Sequence, residues 1–131
     1  MRRMLPSPTL RTERLMLRPV RDDDAAALFA MHGDPYVLRF WDSPPWQDAS
    51  RAAAFLAASR RLEDEGTGAR LVVERRTDGA FLGWCGLTGW NPGYRSASLG
   101  FCFVEESWGR GHAAEAGRAA SERSIVICRS V

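Results

Sequence analysis

Short alternating and periodic segments of hydrophobic and polar residues divide the first half of the chain. Residues 14–19 alternate and stop at a proline, which predicts a strand after a short tail that runs to Thr9. The acidic run 22–24 precedes an alanine-rich apolar stretch and favours the start of a helix, which Gly33 ends. The segment 36–46 contains two adjacent prolines and predicts a loop or a broken helix.

A second helical pattern follows the loop. It starts near Asp48 and ends at Gly66. Its apolar and small residues recur at helical spacing and share one face, namely Ala52, Phe55, Leu56, Ser59 and Leu62. The charged residues beyond Ser59 are interpreted as the solvated face of this helix.

The central part of the chain changes to a period of two, which predicts an antiparallel meander. Its strands are residues 71–74, 81–90 and 96–104, joined by a hairpin turn at Asp78-Gly79 and a second turn at residues 91–93. Glycines inside the middle strand, at positions 83, 86 and 89, indicate a bulge or a close backbone approach.

A glycine-rich turn, a helix over residues 111–123 and a buried strand over residues 124–128 complete the predicted order. The fold class is therefore mixed α/β, with the order β-α-α-β-β-β-α-β. In this plan the last strand lies parallel to the strand before the helix.

Composition places the chain among globular proteins and excludes several function classes. With 131 residues it has room for one domain, residues 1–131, and its net charge of +2 is too small for generic nucleic-acid binding. All 18 basic residues are arginine. No apolar run reaches the ~18 residues of a membrane span, and neither membrane association nor a signal peptide is expected. The three cysteines form no C-x-x-C pair, so we expect no metal site and a reducing, cytoplasmic setting.

Residues 108–116, directly after a predicted strand, carry the most informative pattern. Gly109 and Gly111 allow a tight turn that exposes backbone N–H groups at a helix start, which is physically a pyrophosphate cradle. Arg110 is placed to add a charged contact to a phosphate. Taken alone, this glycine pair is a weak signal, and an ordinary strand-to-helix turn is the favoured interpretation. It is not a Rossmann fingerprint, and a chain without lysine has no Walker loop.

Three segments together resemble the GNAT superfamily of N-acetyltransferases, closest to the branch of ribosomal-protein alanine N-acetyltransferases (RimJ/RimL-like). They are residues 12–19, residues 82–101 and the stretch Trp108-Gly109-Arg110-Gly111-His112-Ala113. The superfamily signature Q/R-x-x-G-x-G/A aligns with Trp108, Gly111 and Ala113 in its first, fourth and sixth places. The resemblance runs from about residue 9 to residue 120, whereas residues 121–131 form an atypical tail.

The resemblance implies an acyl-CoA N-acyltransferase-like fold, with acetyl-CoA as co-substrate and a primary amine of a peptide N-terminus or a small molecule as acceptor. In the family, the strand before the motif pairs with the pantetheine arm and the glycine turn holds the pyrophosphate. The implied coenzyme-binding residues are Phe101, Cys102, Phe103, Val104, Trp108, Gly109, Arg110, Gly111, His112, Ala113 and Ala114. An exposed helix-start residue is the alternative reading of His112, and inert packing is that of Cys102.

The residues of the chemical step are less clear from the sequence. Many relatives have Glu where this chain has Ser98, so the candidates for the catalytic base are Glu74, Ser98 and Glu105. Candidates for the acceptor site are the tryptophans Trp41, Trp46 and Trp90, with core packing as the alternative.

The chain is shorter than the relatives it resembles, which go on through further elements. A second hypothesis is therefore a truncated or degenerate acyl-CoA-binding fragment without turnover, or one that needs a partner chain. A homodimer is one way of supplying such a partner.

Overall fold

The computed structural model describes the backbone of residues 9–39, 44–66, 68–91 and 96–129. Side chains are described in the same ranges except at 88–91, 96–99 and 121–129.

A five-stranded antiparallel sheet forms the centre of the protein, with its strands in sequence order. The strands are β1 (Leu10–Arg11), β2 (Leu15–Pro19), β3 (Ala69–Arg75), β4 (Phe81–Asn91) and β5 (Ser96–Phe103). The predicted meander corresponds to β3, β4 and β5. A register shift between Val73 and Glu74, opposite the β4 residues Gly83 and Phe81, confirms the predicted irregularity at Gly83.

Three helices cover the two faces of the sheet. They are α1 (Ala25–His32), α2 (Ser50–Glu65) and α3 (His112–Arg129), and short 3-10 turns precede α1 at Asp22–Asp24 and α3 at Glu105–Ser107. The acidic run at 22–24 thus forms a separate turn and not the first turn of α1 itself. Mixed α/β architecture is confirmed.

The alternation of side chains along the strands sends alternate residues to two separate cores. Under α3, Leu15, Leu17, Val73 and Cys85 are fully buried beside Ala116. On the opposite face, α1 and α2 pack against the sheet in a second core that contains Leu28, Met31, Leu56, Trp84 and Cys102. Of the residues on the apolar face predicted for α2, Ala52, Leu56 and Ser59 are buried.

The terminal strand predicted over residues 124–128 is wrong, because α3 continues as a helix to Arg129. The β-branched residues Ile125, Val126 and Ile127 favour a strand locally, but their helix penalty is below ~1 kcal/mol each. The stretch from Arg118 to Arg129 contains neither Gly nor Pro to stop a helix that is already propagating. Within the described residues the sheet accordingly has no parallel pair.

Two features are absent from the part of the chain that the structure describes. Its helices include none that is both long and apolar enough to cross a membrane. Its His, Cys, Asp and Glu side chains form no group that could hold a metal ion.

Candidate functional site

An open cavity of about 440 Å³ lies between the end of β5, the turn 108–111 and the start of α3. Residues from three parts of the chain line it: Val37, Arg39, Phe101, Cys102, Phe103, Ser107, Trp108, Gly109, Gly111, His112, Ala113 and Ala114. The structure thus brings nine of the eleven candidate coenzyme-binding residues together around one space; Val104 and Arg110 do not line it.

The glycine turn has the backbone geometry that only glycine adopts easily. Gly109 and Gly111 have φ values of 75° and 77°, in the left-handed region. The helix α3 begins directly afterwards at His112, and its first intrahelical backbone bond runs from the Glu115 N–H to the Gly111 carbonyl at 3.1 Å. The N–H groups of the preceding residues in the first helical turn have no partner inside the helix and carry its positive dipole end. This arrangement fits an anionic group.

The outer edge of β5 offers backbone groups to the same cavity. The Val104 N–H donates to the Leu82 carbonyl at 2.9 Å, and Cys102 lies in register with Trp84 two residues earlier. Because hydrogen-bonded and non-bonded pairs alternate in an antiparallel ladder, the main-chain groups of Phe101 and Phe103 point away from β4. The Trp108 indole donates to the Phe103 carbonyl at 2.9 Å. In the sheet as described, β5 is an edge strand, so an extended ligand has an unpaired N–H and C=O at Phe101 to bond.

His112 is held inside the cavity wall by a serine. Its Nδ1 lies 2.8 Å from the Ser107 hydroxyl, and both residues are buried. Burial and the nearby Arg14 charge lower the pKa of His112 below its usual value. The imidazole is therefore neutral at pH 7, and the alternative of an exposed histidine is wrong.

Aromatic and cationic side chains from the loop after α1 border the cavity. The Tyr36 ring stacks on Trp108 with 5.6 Å between centroids, and the Arg39 guanidinium lies 3.9 Å over the Tyr36 ring. Sequence reasoning missed Val37, Arg39 and Ser107 as lining residues. The sequence signal for Arg39 is weak: a tyrosine and an arginine three residues apart in a loop, a spacing that allows the arginine to lie over the aromatic ring.

Glu74 and Glu105, two of the three candidates for the catalytic base, lie outside the cavity. Glu74 is paired with the buried Arg18, 3.2 Å from its Nε, and Glu105 is exposed in the 3-10 turn. Ser98 lies in β5 in register with Thr88, and its side chain is outside the described residues.

Cys102 lines the cavity as a buried thiol. Burial raises its pKa to about 12, so the thiolate is not populated at neutral pH. This agrees with the interpretation of Cys102 as a packing residue.

Of the three candidate acceptor-site tryptophans, only Trp46 has a described side chain, and it does not line the cavity. Trp46 stacks on the buried His32 with 4.1 Å between ring centroids and packs against the second core. Trp41 lies outside the described residues, and Trp90 is in β4 with its side chain undescribed.

The chain matches known proteins both in sequence and in structure. Residues 14–125 match the family described as the Acetyltransferase (GNAT) domain. The uncharacterized N-acetyltransferase YoaA of Bacillus subtilis is 31% identical over 108 residues, which is 82% of this chain and 61% of YoaA. The chain thus spans about three fifths of that relative's length.

Solved structures agree on the fold. An acetyltransferase from Agrobacterium tumefaciens superposes with a TM-score of 0.72 at 27% identity, covering 88% of this chain and 65% of that one. RimL, a ribosomal L7/L12 α-N-protein acetyltransferase solved in complex with coenzyme A, superposes with a TM-score of 0.73 at 15% identity. There the match covers 88% of this chain and 67% of RimL.

Proposed function

Because this chain belongs to the GNAT acetyltransferase family, we propose that it binds acetyl-CoA in the cavity between β5 and α3. We propose further that it transfers the acetyl group to a primary amine. The main observation in support of this proposal is that a left-handed glycine turn, a helix N-terminus and an unpaired strand edge meet at one cavity of about 440 Å³. A peptide N-terminus, as in RimJ/RimL-like enzymes, or a small molecule is the proposed acceptor.

The two halves of the cavity match the two halves of the coenzyme. The N–H groups of the turn and of the first residues of α3, His112 to Ala114, supply donors for the pyrophosphate. Phe101 supplies an outward N–H and C=O for the amides of the pantetheine arm, in the manner of an added strand. We include in the proposed coenzyme-binding site all nine residues that the sequence predicts to bind the coenzyme and that line the cavity.

The reaction needs little covalent chemistry from the protein. The free amine attacks the thioester carbonyl, the C–S bond breaks and coenzyme A leaves as the thiol. Main-chain N–H groups at the cavity are suited to stabilise the oxyanion. Glu74, Ser98 and Glu105 remain the proposed sources of the base. Since neither glutamate lines the cavity, a water must relay the proton if either acts.

A second candidate function is acyl-CoA binding without turnover, or turnover only with a partner chain. The observation that favours it is that none of the described residues lining the cavity is a carboxylate. Cytoplasmic localisation is part of the proposal and is in keeping with the two free, buried thiols Cys85 and Cys102.

Release of free thiol from acetyl-CoA tests the proposal. The chain is mixed with acetyl-CoA and a panel of amines that contains peptides with different N-terminal residues, polyamines and amino acids. Thiol release that depends on one class of amine, with the acetylated amine found by mass spectrometry, supports transfer and identifies the acceptor class. Tight CoA binding with no amine-dependent release supports the second candidate. Absence of both overturns the proposed function.

A further inference from the structure

The glycine turn is held from its outer side by residues that lie about 100 positions earlier in the chain. The Arg14 Nη1 donates to the Arg110 carbonyl at 2.8 Å, inside the turn itself. A Cβ atom on Gly111 would lie only 3.4 Å from the Arg14 Nη2. The loop between β1 and β2 therefore touches the backbone that presents the proposed pyrophosphate donors.

Glu115, in the first turn of α3, fixes this arginine. Its carboxylate accepts hydrogen bonds from the Arg14 Nε at 2.8 Å, from the Arg14 N–H at 3.0 Å and from the Thr12 hydroxyl. Burial opposes ionisation of Glu115, but the bonds from Thr12 and Arg14 outweigh it and lower its pKa to about 2. The carboxylate is thus charged throughout the physiological range.

The geometry distinguishes this network from an ordinary surface ion pair. The Glu115 side chain is only 14% exposed, and one guanidinium bonds both a carboxylate and a turn carbonyl. Charge-assisted bonds to backbone fix orientation as well as adding stability. None of the three side chains lines the cavity, so they do not qualify as ligands of the coenzyme.

We propose that Arg14 and Glu115, braced by Thr12, are positioning residues that hold the turn 108–111 in the conformation that binds phosphate. This inference rests on the proposed function. The inference adds to the proposed function a set of residues that affect the affinity for the coenzyme by holding the backbone of the turn. Because the pantetheine arm meets β5 and not the turn, the network acts on the phosphate-bearing half of the coenzyme.

The test compares Glu115→Gln and Arg14→Gln with Asp78→Asn. The control removes a similar bidentate ion pair, in which Asp78 accepts from the Arg75 Nε and Nη2 at 2.9 and 2.6 Å, in a hairpin outside the cavity. We expect the first two variants to raise the CoA dissociation constant on the order of tenfold, since bonds to charged groups contribute that much. S-acetylpantetheine, which lacks the phosphates, binds all variants equally, and Asp78→Asn binds CoA like the wild type.

A second readout requires no coenzyme. Amide hydrogen exchange at residues 109–113 is expected to rise in Glu115→Gln and to stay unchanged in Asp78→Asn. If the wild type binds no CoA, the proposed function fails while this exchange comparison still decides the positioning role. If Glu115→Gln does not fold, Arg14→Lys, which keeps the charge but loses the planar fork, is measured in its place. Unchanged exchange at the turn, or equal weakening of CoA and S-acetylpantetheine, overturns the inference.

Discussion

Arg110, in the glycine turn, does not occupy the place that the sequence predicts for its side chain. Its Nε donates to the Glu106 carbonyl at 3.0 Å, and the exposed side chain does not line the cavity. If its guanidinium contacts a phosphate of the proposed coenzyme, it does so from the rim of the cavity and not from its wall.

Arg110→Ala is expected to weaken CoA binding by up to about tenfold, as loss of one charge-assisted bond does. CoA and dephospho-CoA should weaken equally, because Arg110 belongs to the turn that holds the pyrophosphate. Titration calorimetry with both ligands measures this. A larger loss for CoA assigns the contact to the ribose phosphate, and no loss with either ligand places Arg110 on the solvated surface.

His32 is a buried histidine whose protonation couples folding to pH. Its Nε2 lies 3.0 Å from the Trp84 Nε1, which donates to it, and its ring stacks on Trp46. Burial and the Arg70 charge lower its pKa to about 4 from 6.5. The unfolded chain then binds more protons between these values, so stability is full above pH ~6.5 and falls as pH drops towards 4.

The expected loss from His32 over this interval is on the order of 3 kcal/mol in the free energy of unfolding, at about 1.4 kcal/mol per pKa unit. About 2 kcal/mol of this is lost by pH 5, and urea unfolding at pH 7.5 and pH 5 measures that part. His32→Gln, which keeps an acceptor for Trp84, should show a smaller pH dependence, and His112→Gln accounts for the other histidine. An equal pH dependence in wild type and His32→Gln contradicts the assignment.

At the level of elements, a buried ion pair joins β2 to the turn before α1. Arg18 donates to both Asp24 carboxylate oxygens at 2.7 and 2.9 Å and also contacts Glu74 of β3. Burial opposes ionisation of Asp24, but the bonds from Arg18 and from the Arg21 N–H outweigh it and lower its pKa. The Glu74 carboxylate is therefore paired with Arg18, on the side of the sheet that α1 covers.

Asp24→Asn is expected to destabilise the fold by on the order of 3 kcal/mol, because it leaves a buried guanidinium undercompensated. Asp22→Asn is the matched control, since its carboxylate is exposed in its pair with Arg60. Chemical denaturation of both variants measures the difference. Equal stabilities of the two variants rule out a structural role for the buried pair.

The elements that could be predicted from the sequence are those with a strong local signal. The hairpin at Asp78-Gly79 and the helix end at Gly66 lie where their turn chemistry places them. The tail of α3 was mispredicted because local β-propensity is weak against helix propagation. Contacts between distant segments, such as Arg18 with Glu74 or Arg14 with Glu115, leave no periodic signal. For that reason the motif around Gly111 was found from the sequence, whereas Arg39, Ser107 and the outer network were not.

At the scale of the whole molecule, the edge of β5 that faces away from β4 bears on association, because it has no partner strand among the described residues. Phe101 is 47% exposed on this edge, and its main-chain groups point away from β4. Unpaired edges with apolar side chains invite pairing with another chain. We expect the chain to associate with a second copy through this edge and CoA to compete with that association.

Light scattering with and without saturating CoA measures this competition. A mass near two chains that falls towards one chain on addition of CoA is the expected result. A monomer of 14.6 kDa under both conditions contradicts the expectation.

The central claim, that the glycine turn binds the coenzyme phosphates, is tested most directly by calorimetric titration of CoA into Gly111→Val. Gly79→Val is the matched control, because Gly79 has a φ of 72° against 77° for Gly111 and lies in the hairpin outside the cavity. Both substitutions impose a similar backbone strain of ~1–2 kcal/mol. The account predicts that folded Gly111→Val loses CoA binding while Gly79→Val keeps the wild-type affinity. Unchanged CoA affinity in folded Gly111→Val would contradict it.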